Sequence, residues 1–236
     1  MMKHFILKGL RAFLILLFMP VILFSQVYET QNENKITRIL LDNEYIVVSN
    51  FKASSGEFLS TLGGYFEKEE NQFKIELEFN SNYEIDSLTN YSINIDSNWR
   101  KISKNNDVLK GKWVMSGRYV NDEYITRDVN LPRKTMKFLH DGFFQWIAFN
   151  SDTFAFSGSG GGEYETIDGK YIEKIQYFSR DDSRVGAELD FNFELKDNNW
   201  IHSGLSSRGT PINEVWTIRK KLWLNGYTRT NIYCNT

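Results

Sequence analysis

The side chains with the clearest chemical potential are Glu173 and His202. A carboxylate and an imidazole can share general acid and base work, or fix the polar end of a bound molecule. Glu173 lies in KYIEKIQYFS, on the alternating face that carries Tyr171, Ile175 and Tyr177. A carboxylate among apolar neighbours is costly without a partner. Arg180, Arg184, Arg208 and His202 are the candidate partners. His202 shares a strand face with Trp200 in NWIHSGLSS, and Ser203 points the other way. The serine and the histidine therefore cannot form a local nucleophile–base pair.

His140 is the only other histidine outside the first 25 residues, and the sequence has no His-x-x-x-His and no cysteine pair. That pattern gives no zinc spacing and implies no cofactor. Gly158 to Gly162 (GSGGG) has the composition of a phosphate loop, which requires a helix to follow. Glu163-Tyr164-Glu165 continues a strand instead, so these glycines serve curvature or close strand approach. The loops SRDDSR (179–184) and SSRGTP (206–211) read as solvated hairpins with local ion pairs.

The elements that position these groups follow a leader. Lys3, Lys8 and Arg11 precede an apolar run from Ala12 to Phe24, and Ser25 is small enough to precede a cleavage site. The run is shorter than the ~20 residues that span a bilayer. Residues 1–25 are expected to be a secretory signal, with the protein exported to the periplasm, cell surface or exterior and no membrane span left after cleavage. The remainder carries 25 basic and 30 acidic residues. An acidic balance argues against a nucleic-acid partner. The single cysteine, Cys234, excludes an intrachain disulfide, so stability rests on packing. Phe, Trp and Tyr make up 15% of the chain, a generous supply for a core.

Arg133 to Ile218 is a series of short aromatic-rich runs broken by glycine and Asp/Asn turns. With Lys112–Tyr119 it supplies eight strands: 133–139, 143–150, 154–165, 170–179, 187–196, 200–206 and 212–218 complete the set. Turns are expected at Asp141-Gly142, Asp168-Gly169 and Asp197-Asn198-Asn199. Eight strands suffice to close a small barrel. Upstream, 36–41, 45–50, 58–68, 72–79, 91–95 and 99–102 read as strands, and the polar segment Val27–Lys35 reads as a loose lead-in. The first half thus lacks an opening strand. It is either an incomplete barrel or a layer packed on the second half.

The two halves match. Leu40 falls on Leu139 and Asp42 on Asp141. With one loop residue removed, Gly63-Gly64 falls on Gly161-Gly162, Phe73 on Tyr171, Phe79 on Tyr177, and Asn98-Trp99 on Asn199-Trp200. Conserved order and spacing over such a length indicate an internal duplication. The match places Phe144, Trp146, Tyr171, Ile175 and Tyr177 inside the barrel. It also sets Glu173 on Ile75, a polar group at an interior position.

Gly111-Lys112-Trp113 puts Gly-x-Trp on the opening strand of an eight-strand meander. In this the chain resembles the lipocalin, or calycin, superfamily. The resemblance implies that Trp113 plugs a closed barrel end, with Arg219 stacked over it. PRKTMKFL, FQWIAFN, GSGGGEY, YFSRDDSRVGAELDF and HSGLSSRGTPINEVW are similar to segments of uncharacterised secreted bacterial proteins with lipocalin-like domains. That similarity implies a barrel and export, and no activity. Past Arg219 the chain departs from the pattern.

The expectation is an all-β protein of antiparallel up-and-down lipocalin-like barrels made by duplication. Residues 1–25 are the signal, 26–110 a divergent half, 111–219 a complete barrel and 220–236 a tail. The expected function is non-catalytic binding of a small hydrophobic or amphipathic molecule by Phe144, Trp146, Tyr164, Glu173, Tyr177, Trp200 and His202. The alternatives are an envelope structural or interaction module with solid barrels, and an enzyme using Glu173 or His202.

Overall fold

The computed structural model describes residues 26–206 and 208–220. Residues 1–25, where a signal is expected, Ser207, and the expected tail from 221 with Cys234 lie outside the described residues. In the first half, β1 (Gln26–Asn32), β2 (Lys35–Leu41), β3 (Tyr45–Lys52), β4 (Phe58–Glu69), β5 (Gln72–Asn80), the helical turn α1 (Tyr83–Asp86), β6 (Asn90–Asn94) and β7 (Arg100–Ile102) follow in order. The strands form one open antiparallel sheet in the order β6-β5-β4-β3-β2-β1-β7.

The second half holds β8 (Gly111–Val120), β9 (Glu123–Thr126), β10 (Arg133–His140), β11 (Phe143–Asn150), β12 (Phe156–Ile167), β13 (Lys170–Phe178), β14 (Glu188–Lys196), β15 (Asn199–Leu205) and β16 (Pro211–Ile218). Strands β10 to β16 pair in sequence, β16 pairs with β8, and β8 pairs with β10, closing an eight-strand barrel. The exposed strand β9 is an addition to the far end of β8. Left-handed residues make the hairpins tight: Asp141 and Gly142 have φ of 52° and 78°, and Asp168 and Gly169 have 48° and 76°.

Only the second half is a barrel. The polar lead-in is in fact β1, paired with β2 along its full length and with β7 on its other edge. Its composition hid it because burial of Val27 and a ladder on both edges are enough to hold it. The edge strands β6 and β7 are short and do not pair with each other, so the sheet stays open.

The ladders of the two halves correspond. Val47 pairs with Gly63 and Gln145 with Gly161; Ile46 pairs with Gly64 and Phe144 with Gly162. The same shift relates Leu41 to Leu139 and Phe79 to Tyr177 with no gap. The match of Asp42 to Asp141 is therefore one residue out. Asn43-Glu44 is the turn of the first hairpin, closed by Asp42 N–H donating to Tyr45 O at 3.0 Å. A one-residue slip exchanges the faces of a strand, so Ile46 and Val48, not Tyr45 and Val47, correspond to Phe144 and Trp146. The inward placement of Phe144 and Trp146 stands.

Each glycine pair also marks a bulge. Gly63 pairs with Phe79 but Gly64 with Leu77, leaving Glu78 extra; Gly161 pairs with Tyr177 but Gly162 with Ile175, leaving Gln176 extra. The backbones are so close there that a Cβ on Gly64 would lie 1.8 Å from Glu76 O, and one on Gly162 1.9 Å from Lys174 O. The extra residue flips everything after it. Tyr177 therefore points out of the barrel, which corrects its expected interior position.

Three apolar clusters result. One fills the barrel: Leu139, Phe144, Tyr164, Tyr171, Phe191, Trp200 and Trp216 are among its members. One lies on a single face of the open sheet, around Ile39, Ile46, Phe73 and Leu77. The third joins the halves, with Leu40, Tyr45, Val47 and Phe79 packed on Met136, Phe138, Phe143 and Phe149. Burial of each such side chain is worth about 1.5–3 kcal/mol. Across this seam Phe51 stacks on Tyr177 with centroids 4.7 Å apart, and Phe149 meets Phe79 at 4.9 Å. The bulges are clasped across it too. Arg38 Nη1 donates to Gln176 Oε1 at 2.6 Å, and both Arg219 Nη atoms donate to Glu78 at 2.7 Å.

Candidate functional site

Inward-facing residues of β10 to β16 build a polar centre inside the barrel. Lys137 on β10 pairs in register with Trp146 on β11, and Glu173 on β13 with Tyr164 on β12. Lys137 Nζ donates to Glu173 Oε1 at 2.6 Å, and Tyr171 Oη donates to the same oxygen at 2.8 Å. Both charged side chains are buried, at 5% and 7% exposure. The ammonium lies 5.0–5.5 Å from the ring centroids of Tyr171, Phe191, Trp200 and Trp216. Four aromatic faces and one carboxylate thus enclose a cation that belongs to the protein itself.

His202 lies beside this cage, 4.3 Å from the Phe191 ring and 5.1 Å from Trp200. Its Nδ1 is 3.3 Å from Glu214 Oε2, which also accepts Trp216 Nε1–H at 3.1 Å. Burial, then the charge of Lys137, pushes the His202 pKa down to about 4. Burial pushes Glu214 up, but its hydrogen bond to His202 and the nearby charges outweigh that and hold it low. Burial and the Glu173 charge drive the Tyr171 hydroxyl well above the usual phenol range. His202 is therefore a neutral imidazole at neutral pH.

Six of the seven expected site residues do meet in the barrel: Phe144, Trp146, Tyr164, Glu173, Trp200 and His202. Tyr177 does not. The partner of Glu173 is Lys137, and none of the four candidates serves. Arg180 bonds Ser157 O and stacks over Trp146 at 4.8 Å, Arg184 pairs with Asp181, Arg208 is exposed, and His202 bonds Glu214. Arg219 does not cover Trp113. Its guanidinium lies over Tyr45 and Tyr65 at 5.5 and 5.8 Å because Glu78 draws it to the seam. Trp113 is buried and donates from Nε1 to Leu109 O at 2.8 Å.

A second site lies outside the barrel. The open sheet, the linker after β7 and the outer barrel wall border a cleft of about 790 Å3. Its lining combines apolar Ile36, Phe51, Ile102 and Phe143 with basic Lys52, Arg100, Lys101 and Lys104 and acidic Glu29 and Glu163; Arg100 pairs with Glu29 at 3.2 Å and Lys104 with Glu163 at 3.0 Å. Arg38 is buried against it, over Phe143 at 4.8 Å, and held by Glu29 at 2.7 Å. No local sequence pattern marks this cleft, since its walls come from distant segments.

No family model matches the chain, and no curated protein matches it either. The functional reading therefore rests on the chain's own geometry.

Proposed function

We propose that this is an exported, lipocalin-like, non-catalytic binding protein whose ligand is a small amphipathic anion held in the cleft between the halves. The observation that carries this is the cleft's lining, an apolar floor of Phe51, Phe143 and Ile102 with a rim on which Arg38, Lys52, Arg100, Lys101 and Lys104 outnumber Glu29 and Glu163. A barrel interior occupied by Lys137 and its aromatic cage supports placing the ligand outside the barrel. The up-and-down meander with Gly-x-Trp on β8 supports the lipocalin-like description, and the leader supports export.

The test uses anilinonaphthalene sulfonate, an amphipathic anion whose fluorescence reports binding. Saturable binding that weakens with salt is expected, and the double reversal R100E/K101E should lower affinity about tenfold. Trp146→Ala, inside the barrel, should leave it unchanged. Absence of saturable binding, or equal binding by the double variant, refutes the cleft.

The caged Lys137 also favours a second reading, an envelope structural or interaction module with a solid barrel. Native mass spectrometry free of bound small molecules, with a melting temperature insensitive to amphipathic anions, would favour it.

A further inference from the structure

The linker between the halves, residues 103–110, lies on the β10–β11 hairpin. Lys104 N–H donates to Asp141 O at 2.7 Å, and Gly142 N–H to Asn106 O at 2.8 Å. This places Asp107 of the linker beside His140 and Asp141 of the hairpin, with one ligand atom from each within 4.8 Å of the others. His140 Nδ1 is 3.6 Å from Asp141 Oδ2 and 3.9 Å from Asp107 Oδ1. The histidine is 1% exposed, and among the described residues neither ring nitrogen has a hydrogen-bond partner. A buried polar group left unsatisfied calls for an explanation, and an unplaced ion is one.

We propose that Asp107, His140 and Asp141 form a zinc site that fastens the inter-half linker to the barrel. The separations suit the ion. Tetrahedral zinc with bonds of ~2.0–2.1 Å holds its ligands about 3.3 Å apart, so the imidazole nitrogen, at 3.6 and 3.9 Å, is within a few tenths of an ångström of that spacing from each carboxylate, and the two carboxylates, within 4.8 Å of each other, must close by at most about 1.5 Å. The ligand set suits it as well. One imidazole nitrogen with two carboxylates favours a borderline divalent ion, whereas calcium takes six to eight oxygens. Two carboxylates and a neutral imidazole balance the charge of the ion.

Surrounding groups already orient the ligands, as outer partners of metal sites do. Asp107 Oδ1 accepts Asp141 N–H at 3.0 Å, and Lys110 Nζ holds Asp107 Oδ2 at 3.2 Å. Ser103 Oγ donates to Asp141 Oδ1 at 2.8 Å, which leaves Oδ2 facing His140. Asp107 is half-exposed, so an ion can reach the site from solvent. The sequence concealed the site because Asp107 is far from the other two in the chain.

The site is independent of the proposed cleft ligand. The test takes the untagged protein, strips it with a chelator and titrates zinc chloride by calorimetry, with calcium and magnesium chloride for comparison. One equivalent of zinc should bind. Asp107→Asn and Asp141→Asn should each weaken binding by at least about tenfold, and His140→Gln should abolish it. Zinc should raise the melting temperature of the parent protein and not that of Asp107→Asn. No stoichiometric zinc, or zinc binding undiminished in both aspartate variants, overturns the proposal. If His140→Gln does not fold, the two aspartate variants decide it alone, because Asp107 is half-exposed and Asp141 occupies a turn conformation that asparagine accepts.

Discussion

Loss of the Lys137 ammonium should be the most damaging single change in the barrel, and its cost depends on which partner is removed. Lys137→Met keeps the length of the side chain but leaves the Glu173 carboxylate, 7% exposed, with Tyr171 Oη as its remaining donor. An uncompensated buried charge costs about 3–5 kcal/mol. Glu173→Leu strands the ammonium instead, but four ring faces at 5.0–5.5 Å remain to stabilise it. Each such contact is worth roughly 0.5–2 kcal/mol when desolvated, so this variant should lose only about half as much. The double variant Lys137→Met/Glu173→Leu removes both charges and should come within about 1–2 kcal/mol of the parent, since a buried pair is often replaceable by apolar residues. Urea unfolding of the four proteins at neutral pH gives the cycle directly. The reasoning is refuted if Lys137→Met costs less than about 1 kcal/mol, or if Glu173→Leu costs more than Lys137→Met. The same lysine helps depress His202 after burial, so the His202 pKa, followed by NMR, should rise from about 4 in Lys137→Met.

Three further outcomes follow from the same contacts. His202 binds its proton less well folded, at about 4, than at its ordinary 6.5, so its contribution is complete above pH 6.5 and disappears as pH falls toward 4. The loss is about 3 kcal/mol; the low-held Glu214 adds to it on further acidification, and His202→Gln should flatten the fall in urea midpoint between pH 7 and 4.5. Arg219→Ala leaves the buried Glu78 carboxylate without its cation and should cost about 3–5 kcal/mol by urea unfolding. Gly162→Ala pushes a methyl to 1.9 Å from Lys174 O and should cost more than about 3 kcal/mol, whereas nothing lies within 4 Å of a methyl on Gly169, where only the left-handed φ is strained.

The barrel was legible because its strands carry regular alternation and end at Asp-Gly or Asp-Asn turns, which local chemistry fixes. β1 was not, because an edge-paired strand needs few apolar residues, and neither was β9, which is exposed along its length. Glu173 stood out as a carboxylate on an aromatic face. Its partner Lys137 was overlooked between Met136 and Phe138, although it alternates with Leu139 and so had to point inward. Tyr177 was misplaced because a bulge changes parity without changing composition. The exchange of Arg219 from Trp113 to Glu78, the cleft, and the meeting of Asp107 with His140 are long-range pairings that no local pattern encodes.

The seam between the halves is approximately symmetric. Phe51 meets Tyr177, and Phe149 meets Phe79, so each contact repeats with the two copies exchanged. Arg38 holds the bulge residue of the second copy, and Arg219, 3.5 Å from the sulfur of Met136, holds that of the first. Met136 stands where Arg38 stands in the other copy. Contacts that repeat under exchange are those of an isologous dimer. The two halves therefore pack with an approximate two-fold symmetry, yet its two cross-seam charges come from different places in the chain, Arg38 from β2 and Arg219 from beyond β16.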